Sequence, residues 1–233
     1  MASMMALPRE GHLQQVYRMF AFLKCKHTAV MVFDHIEPDL DLTSFQEEDW
    51  SSTPYGDCKE EIPSNAPPPR GLGFTMRAAV DSDHDGDCTT RRSRTGFIVW
   101  LNSAPIYWYS KKQGSCETSS FSSEFIAMKQ CCEYLRGLKY KLRMMGIPCE
   151  GPAFIQGDNQ SVLVNTTIPD STLKKKCQSI AYHMIREGVA RGEWMTAYVR
   201  SEDNEADLLT KQLPAGEKRR GFVRNLVHHI YRT

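Results

Sequence analysis

The stretch Arg94-Thr95-Gly96-Phe97-Ile98-Val99-Trp100-Leu101-Asn102-Ser103-Ala104-Pro105-Ile106-Tyr107-Trp108-Tyr109-Ser110-Lys111-Lys112 decides the fold. Phe97 to Leu101 is dense in β-branched and aromatic residues, which suit a pleated, half-buried surface. Asn102-Ser103 supplies a tight turn, so strands over 95–102 and 104–111 read as an antiparallel hairpin. Upstream, Arg77-Ala78-Ala79-Val80 lies in a further strand candidate at 74–81. Downstream, a helix is expected over about 122–145, because Phe125, Met128, Cys132, Leu135, Leu138, Leu142 and Met145 follow the 3.6-residue period. A strand at 153–158, a short helix from Asn159, a helix at about 174–190, a strand at 193–200 and a helix at 203–212 complete the order. Three antiparallel strands followed by alternating helix and strand predict an α/β fold, a mixed sheet flanked by helices.

The 233 residues carry a net charge of +1 that hides an asymmetry. Residues 1–70 hold 6 Lys/Arg against 11 Asp/Glu, and residues 71–233 hold 23 against 17. The basic part suits an anionic partner such as nucleic acid. An N-terminal helical arm is predicted over 8–26, followed by the β-like run Thr28 to Phe33. Residues 36–71 are acidic and contain Ala66-Pro67-Pro68-Pro69, the composition of a semi-rigid linker or loosely packed arm. Residues 72–213 form the regular α/β block, and 214–233 a basic C-terminal tail. Eight cysteines form no C-x-x-C pair and no zinc-like Cys/His cluster. No secretory leader and no apolar run of about 18 residues is present. The expectation is an intracellular, non-secreted chain without membrane association.

Four acids, Asp81, Glu124, Asp158 and Asp207, fall where predicted strands or helices begin or end. Bland alternatives exist: a first-turn helix acid for Glu124, an N-cap neighbour for Asp158 and a surface acid for Asp207, while a solvated Asp-rich turn explains Asp85 and Asp87 but not Asp81 on a strand. Together they are harder to dismiss, since gathered carboxylates repel one another unless cations sit among them. Oxygen ligands suit magnesium or manganese, and a pair of such ions supports in-line displacement at phosphorus. Asp81-Ser82-Asp83-His84-Asp85-Gly86-Asp87 also matches the first half of a calcium loop. That pattern needs a glutamate at its twelfth position, where this chain has Arg92. The run Ser119-Ser120-Phe121-Ser122-Ser123 is too small and polar for core and is expected to face an open site. Arg92, Arg94, Lys111, Lys112, Asn159 and Lys175 are candidate nucleic-acid contacts, with Trp100, Tyr107, Trp108 and Tyr109 interleaved for stacking.

Asp81 to Asp87, Arg92 to Phe97 and Pro105 to Gln113 resemble the start of the ribonuclease H domain of copia-type LTR retrotransposon Pol polyproteins. The similarity continues through Ser123 to Met128, Gly157 to Ser161, Tyr182 to Glu187 and Ser201 to Lys211. Residues 5–33 resemble, more weakly, the end of the preceding reverse transcriptase region, without the polymerase's Tyr-x-Asp-Asp motif. The resemblance implies a ribonuclease H-like fold with a five-stranded mixed sheet and assigns the acidic tetrad to Asp81, Glu124, Asp158 and Asp207. It further implies two Mg²⁺ ions, with Mn²⁺ as a substitute, and hydrolysis of the RNA strand of an RNA–DNA hybrid. Reverse transcriptase or integrase regions of Pol are the implied partners. Val199-Arg200-Ser201-Glu202-Asp203 lacks the histidine that cellular ribonucleases H often carry before the last aspartate. The rival expectation is a catalytically idle ribonuclease H-like remnant that binds nucleic acid or a polymerase.

Overall fold

The computed structural model describes residues 7–56, 58–84, 86–87, 89–173 and 176–229. In chain order the elements are α1 (Glu10–Cys25), β1 (Ala29–Val30), β2 (Met76–Asp83), β3 (Arg94–Leu101), β4 (Ala104–Lys112) and α2 (Ser120–Met144). They continue as β5 (Ala153–Gly157), α3 (Gln160–Thr167), α4 (Ser179–Ala190), β6 (Trp194–Tyr198), α5 (Asp207–Thr210), α6 (Glu217–Leu226) and β7 (His228–His229). Two compact units emerge, one from residues up to Val32 together with those from Val223 on, the other from Phe33–Phe222. The smaller unit holds α1, which has no buried residue, and the two-residue antiparallel pair β1–β7.

The larger unit is built on a five-stranded sheet in the order β4-β3-β2-β5-β6. β2, β3 and β4 are antiparallel neighbours, whereas β5 runs parallel to β2 and β6 parallel to β5. The expected mixed five-stranded sheet flanked by helices is therefore present. Asn102 makes the hairpin turn at a positive φ of 52°. Asparagine tolerates this conformation, and its side chain accepts from the Thr75 N–H at 2.8 Å and donates to the His35 carbonyl at 2.8 Å. α2 buries Phe125, Met128, Cys131, Cys132 and Leu135 against Ala78, Val80, Val99 and Ile155 of the sheet. The large side chains among them, Phe125, Met128 and Leu135, contribute about 1.5–3 kcal/mol each by burial. Met145, expected on this stripe, is instead the exposed residue just past the helix, because the helix stops at Met144 and the chain turns at Gly146 (φ 74°).

Three other expectations change. The run at 28–33 pairs only over Ala29–Val30. Helix 174–190 begins at Ser179, after a 3-10 turn over Lys176–Gln178, and Lys174 and Lys175 lie outside the described residues. Helix 203–212 shrinks to Asp207–Thr210, because the Asn204 side chain accepts from the Ala206 N–H at 3.1 Å and holds the preceding residues in a turn.

Among the described residues, the acidic segment before β2 has no strand or long helix, but it lies on the body of the larger unit. Phe45 and Trp50 are buried, and Phe45 meets Phe154 edge-on at 4.9 Å. Arg186 packs over the Trp50 ring at 4.7 Å. Glu60 accepts from both Arg143 Nη1 (2.7 Å) and Arg143 Nη2 (2.8 Å) and pairs with the buried Lys139 at 3.3 Å. Phe45, Trp50 and Glu60 thus hold this segment as a strap whose apolar anchors are spaced without period. A cleft of about 640 Å³ beside it, lined by Glu60, Arg136, Arg143 and Glu193, is filled electrostatically by ion pairs among its own walls.

Candidate metal centre

Asp81 lies near the end of β2, the central strand, and is fully buried. The parallel register pairs Val80 with Gly157, so Asp158, one residue beyond β5, comes level with Asp81. Glu124 arrives from the first turns of α2, which Ser119 caps by accepting the Ser122 N–H at 3.3 Å. Carboxylate oxygens of Asp81, Glu124 and Asp158 all lie within 4.8 Å of one another. Strand order and helix start together bring three sequence-distant acids to one point.

The serine run that positions Glu124 is not the open face expected of it. Ser122 and Ser123 are buried, and Ser82 Oγ donates to Ser123 Oγ at 3.0 Å. Gln113 Nε2 donates to the Ser123 carbonyl at 2.9 Å and to Thr95 Oγ1 at 3.1 Å. Small hydroxyl side chains let α2 approach β2 closely while still satisfying their own hydrogen bonds.

Asp207, at the start of α5, reaches the same region through shared partners. Lys211 Nζ lies 3.2 Å from Asp81 Oδ1 and 2.5 Å from Asp207 Oδ1. Thr210 Oγ1 donates to Asp81 Oδ2, and Lys218 Nζ to Asp207 Oδ2. Gly96 makes this approach possible. A Cβ there would stand 2.5 Å from the Thr210 methyl, 2.9 Å from Leu209 Cβ and 3.2 Å from the Ala206 carbonyl. Asn204, fully buried, donates to the Val80 carbonyl at 3.0 Å, tying the turn before α5 to the strand that carries Asp81.

The electrostatics are those of a crowded anionic site. Glu124 is pushed up to about 9, by burial first and then by the charges of Asp81 and Asp158. Asp81 is also raised, chiefly by burial, against the pull of Lys211 and the Thr210 hydrogen bond. Burial would raise Asp207 too, but hydrogen bonds from Lys211 and Lys218 outweigh it and leave this carboxyl below its ordinary value. A hard, all-oxygen donor set that holds a proton far above the usual carboxylate range fits a divalent cation, which would relieve the repulsion.

The other predicted contacts scatter. Asn159 is occupied as the cap of α3, accepting the Val162 N–H at 3.2 Å. Arg92 and Lys111 are exposed, Arg94 Nη1 donates to Ser110 Oγ at 3.4 Å, and Lys112 is paired with Asp87. Lys175 lies outside the described residues. Trp108 is half exposed on β4, whereas Trp100 is buried beneath Arg77, whose guanidinium sits 3.8 Å from the ring centre. Sequence reasoning missed Gly96, Ser123, Asn204, Thr210, Lys211 and Lys218. Only Lys211, four residues after Asp207 and hence one helical turn on, carried a local signal.

No protein-family model matches the chain. In sequence it is 31% identical, over 144 residues, to the retrovirus-related Pol polyprotein from transposon RE2 of Arabidopsis thaliana, which covers 62% of this chain and 10% of that protein. It is 27% identical over 139 residues to the Pol polyprotein from transposon TNT 1-94 of Nicotiana tabacum, again covering 10% of the relative. The chain thus spans about a tenth of the length of these curated relatives. Among solved structures, LC11 ribonuclease H1 in complex with an RNA/DNA hybrid superposes with a TM-score of 0.48 at 14% identity, covering 58% of this chain and 94% of that one. The expected similarity to retrotransposon Pol polyproteins is present in the sequence. No helix among the described residues is long and apolar enough to cross a membrane.

Proposed function

We propose that the chain is the ribonuclease H segment of a retrotransposon Pol polyprotein, a metal-dependent hydrolase that cuts the RNA strand of an RNA–DNA hybrid. The observation that carries this is the convergence of Asp81, Glu124 and Asp158 at one point, with Asp207 linked to Asp81 through Lys211. Asp81, Glu124, Asp158 and Asp207 would hold two Mg²⁺ ions, or Mn²⁺ in their place. When bound, such a pair activates the attacking water and stabilises the leaving oxygen.

The chain's own residues position the ligands and the substrate. Burial of Asp81 closes the base of the site to bulk water, so charges act there at a lower effective dielectric. Ser201 Oγ donates to Asp158 Oδ2 at 2.6 Å and fixes one carboxylate rotamer. Thr210 does the same for Asp81. Arg92, Arg94, Lys111, Lys112 and Lys175 are assigned to the phosphate backbone, with Lys112 exchanging Asp87 for a phosphate oxygen on binding. Asn159, at the start of α3, is assigned to the hybrid as well. Selection of RNA would rest on contacts to 2′-hydroxyls. Residues 72–213 are the catalytic domain in this proposal, 1–35 a reverse transcriptase remnant, 36–71 the connection and 214–233 a basic tail. Reverse transcriptase or integrase regions of Pol are its partners.

A labelled hybrid incubated with the purified chain in Mg²⁺ and in Mn²⁺ tests the proposal. RNA-strand cleavage that disappears in Asp81→Asn supports it. A hybrid left intact in both metals overturns it in favour of the catalytically idle module.

A further inference from the structure

The apolar face of the sheet changes character where it nears the carboxylates. Along β2 and β3 the core side chains are Ala78, Val80, Phe97 and Val99. The next positions on that face are Ser82 and Thr95, which the antiparallel register sets side by side. Hydroxyls thus stand where the alternation calls for apolar groups. Both residues are buried, as are Ser123 of α2 and Gln113, the first residue past β4. Gln113 closes these groups into a ring. Its Nε2 donates to Thr95 Oγ1 at 3.1 Å and to the Ser123 carbonyl at 2.9 Å, while its backbone N–H donates to the Ser93 carbonyl at 2.8 Å. Ser82 Oγ donates to Ser123 Oγ at 3.0 Å, which donates on to the Ser120 carbonyl at 2.8 Å. The ring reaches both ligand-bearing segments. Ser82 follows Asp81 and gives its N–H to the Glu124 carboxylate, and Ser123 precedes Glu124. The Ser123 carbonyl can only accept, which fixes the orientation of the Gln113 amide. Its Oε1 is left buried with no hydrogen-bond partner among the described residues. An orphaned buried acceptor is destabilising, so stability alone would favour an apolar side chain at this position.

We infer that Gln113 is a positioning residue of the metal site, holding the first turns of α2 against β2 and β3 and so setting where Glu124 stands relative to Asp81. It touches neither carboxylate and acts through Ser123 and Ser82. Ligand side chains work only when held within about 0.5 Å of the productive geometry, and groups behind them supply that precision. The Ser119 cap fixes the start of the helix, but it makes no bond to the sheet. The Gln113 amide and the Ser82 hydroxyl provide that bond. Four residues from four separate segments meet in this ring, so removing the amide loosens Glu124 without opening the apolar core beneath it.

This inference rests on the proposed metal-dependent function, and Mn²⁺ affinity separates the failure of one from that of the other. Mn²⁺ binding to the substrate-free full chain is followed by electron paramagnetic resonance for wild type, Gln113→Met, Ser82→Ala and the double variant. Melting in chelator and hybrid-cleavage kinetics are measured beside it. Gln113→Met keeps the length of the side chain and removes the orphaned oxygen, so it should melt at or above the wild-type temperature. Its Mn²⁺ dissociation constant should rise about tenfold, and kcat should fall by a similar factor with KM for the hybrid unchanged. Both residues act on one ring, so the double variant should lose less affinity than the product of the single effects. Wild-type Mn²⁺ affinity in Gln113→Met overturns the inference, as do single effects that multiply. Should Gln113→Met fail to fold, Thr95→Val removes the amide's other acceptor at constant shape. Weaker Mn²⁺ binding in that variant supports the inference, and wild-type affinity overturns it. A wild-type chain that binds no Mn²⁺ overturns the metal-dependent function itself. If wild type binds Mn²⁺ but leaves the hybrid intact, the cutting activity falls and the affinity comparison still decides the role of Gln113.

Discussion

Replacing Glu124 by Gln should stabilise the metal-free chain while abolishing cleavage. Gln keeps the shape of the side chain and an acceptor for the Ser82 N–H, which the carboxyl receives in the native fold. It removes the ionisable group whose charged form burial, and after it the charges of Asp81 and Asp158, disfavour in the fold. The folded carboxyl titrates at about 9 against an ordinary 4.5, so the fold favours the protonated form and the unfolded chain the ionised one. Stability is therefore greatest below 4.5, falls as pH rises toward 9 and levels off beyond. At pH 7 the interval above 4.5 corresponds to roughly 3 kcal/mol, at about 1.4 kcal/mol per unit. For a chain of this size that is a Tm increase of roughly 6–12 °C in Glu124→Gln, shrinking toward zero near pH 4.5. Differential scanning calorimetry in chelator across pH 4–9 measures it. A Tm that is unchanged or lower at pH 7, or a gain that does not grow with pH, would refute the reasoning that burial, and after it the charges of Asp81 and Asp158, keep Glu124 protonated in the fold. Added Mg²⁺ should then raise the Tm of wild type more than that of the variant, because the ion relieves the same repulsion.

Divalent binding to wild type at pH 7 should release protons, since Glu124 holds its proton to about 9. Calorimetry in buffers of different ionisation enthalpy detects this, and a buffer-independent heat counts against it. Gly96→Val should cost about 1–3 kcal/mol and lose cleavage, because the new side chain meets Thr210, Leu209 and the Ala206 carbonyl beneath α5. Faster hydrogen exchange confined to residues 204–211 would mark the displaced helix, and a native exchange pattern would contradict it. Trp50→Ala should cost about 3–5 kcal/mol, as for any large buried aromatic, despite lying in an acidic segment without regular structure. Glu60→Gln leaves Lys139 buried beside a neutral partner and should cost about 3–5 kcal/mol; urea unfolding that matches wild type would sink that expectation.

The sheet was legible because its strands announce themselves locally. Phe97 to Leu101 and the Asn102-Ser103 turn gave the hairpin, and the α2 stripe gave the face it covers. The convergence of Asp81, Glu124 and Asp158 was legible because each lies where a predicted strand ends or a predicted helix begins. What stayed hidden depends on contacts that no local period encodes. Ser122 and Ser123 looked solvent-facing by composition, yet the Ser123 hydroxyl pairs with Ser82 of β2 and the Ser120 carbonyl, and the Ser122 hydroxyl accepts from Ser119. Phe45 and Trp50 fall in a proline-containing acidic stretch, and only their partners Phe154 and Arg186 show why they are inside. Asn204 read as helix, but its side chain competes with the backbone for hydrogen bonds and delays α5 by several residues. Lys218 was unreadable, because Pro214 and Gly216 break the pattern between it and Asp207.

The hydrogen bond from Thr210 to Asp81 spans 129 positions of sequence. Closing so long a loop forfeits chain entropy before any contact repays it, so this step belongs late in folding. The hairpin and α2 close over far shorter separations and should form first, carrying Asp81 and Glu124 with them. During synthesis the sheet can therefore assemble while residues beyond β6 are still emerging, and Asp207 with Thr210 docks onto Asp81 only after residue 211 is free of the ribosome.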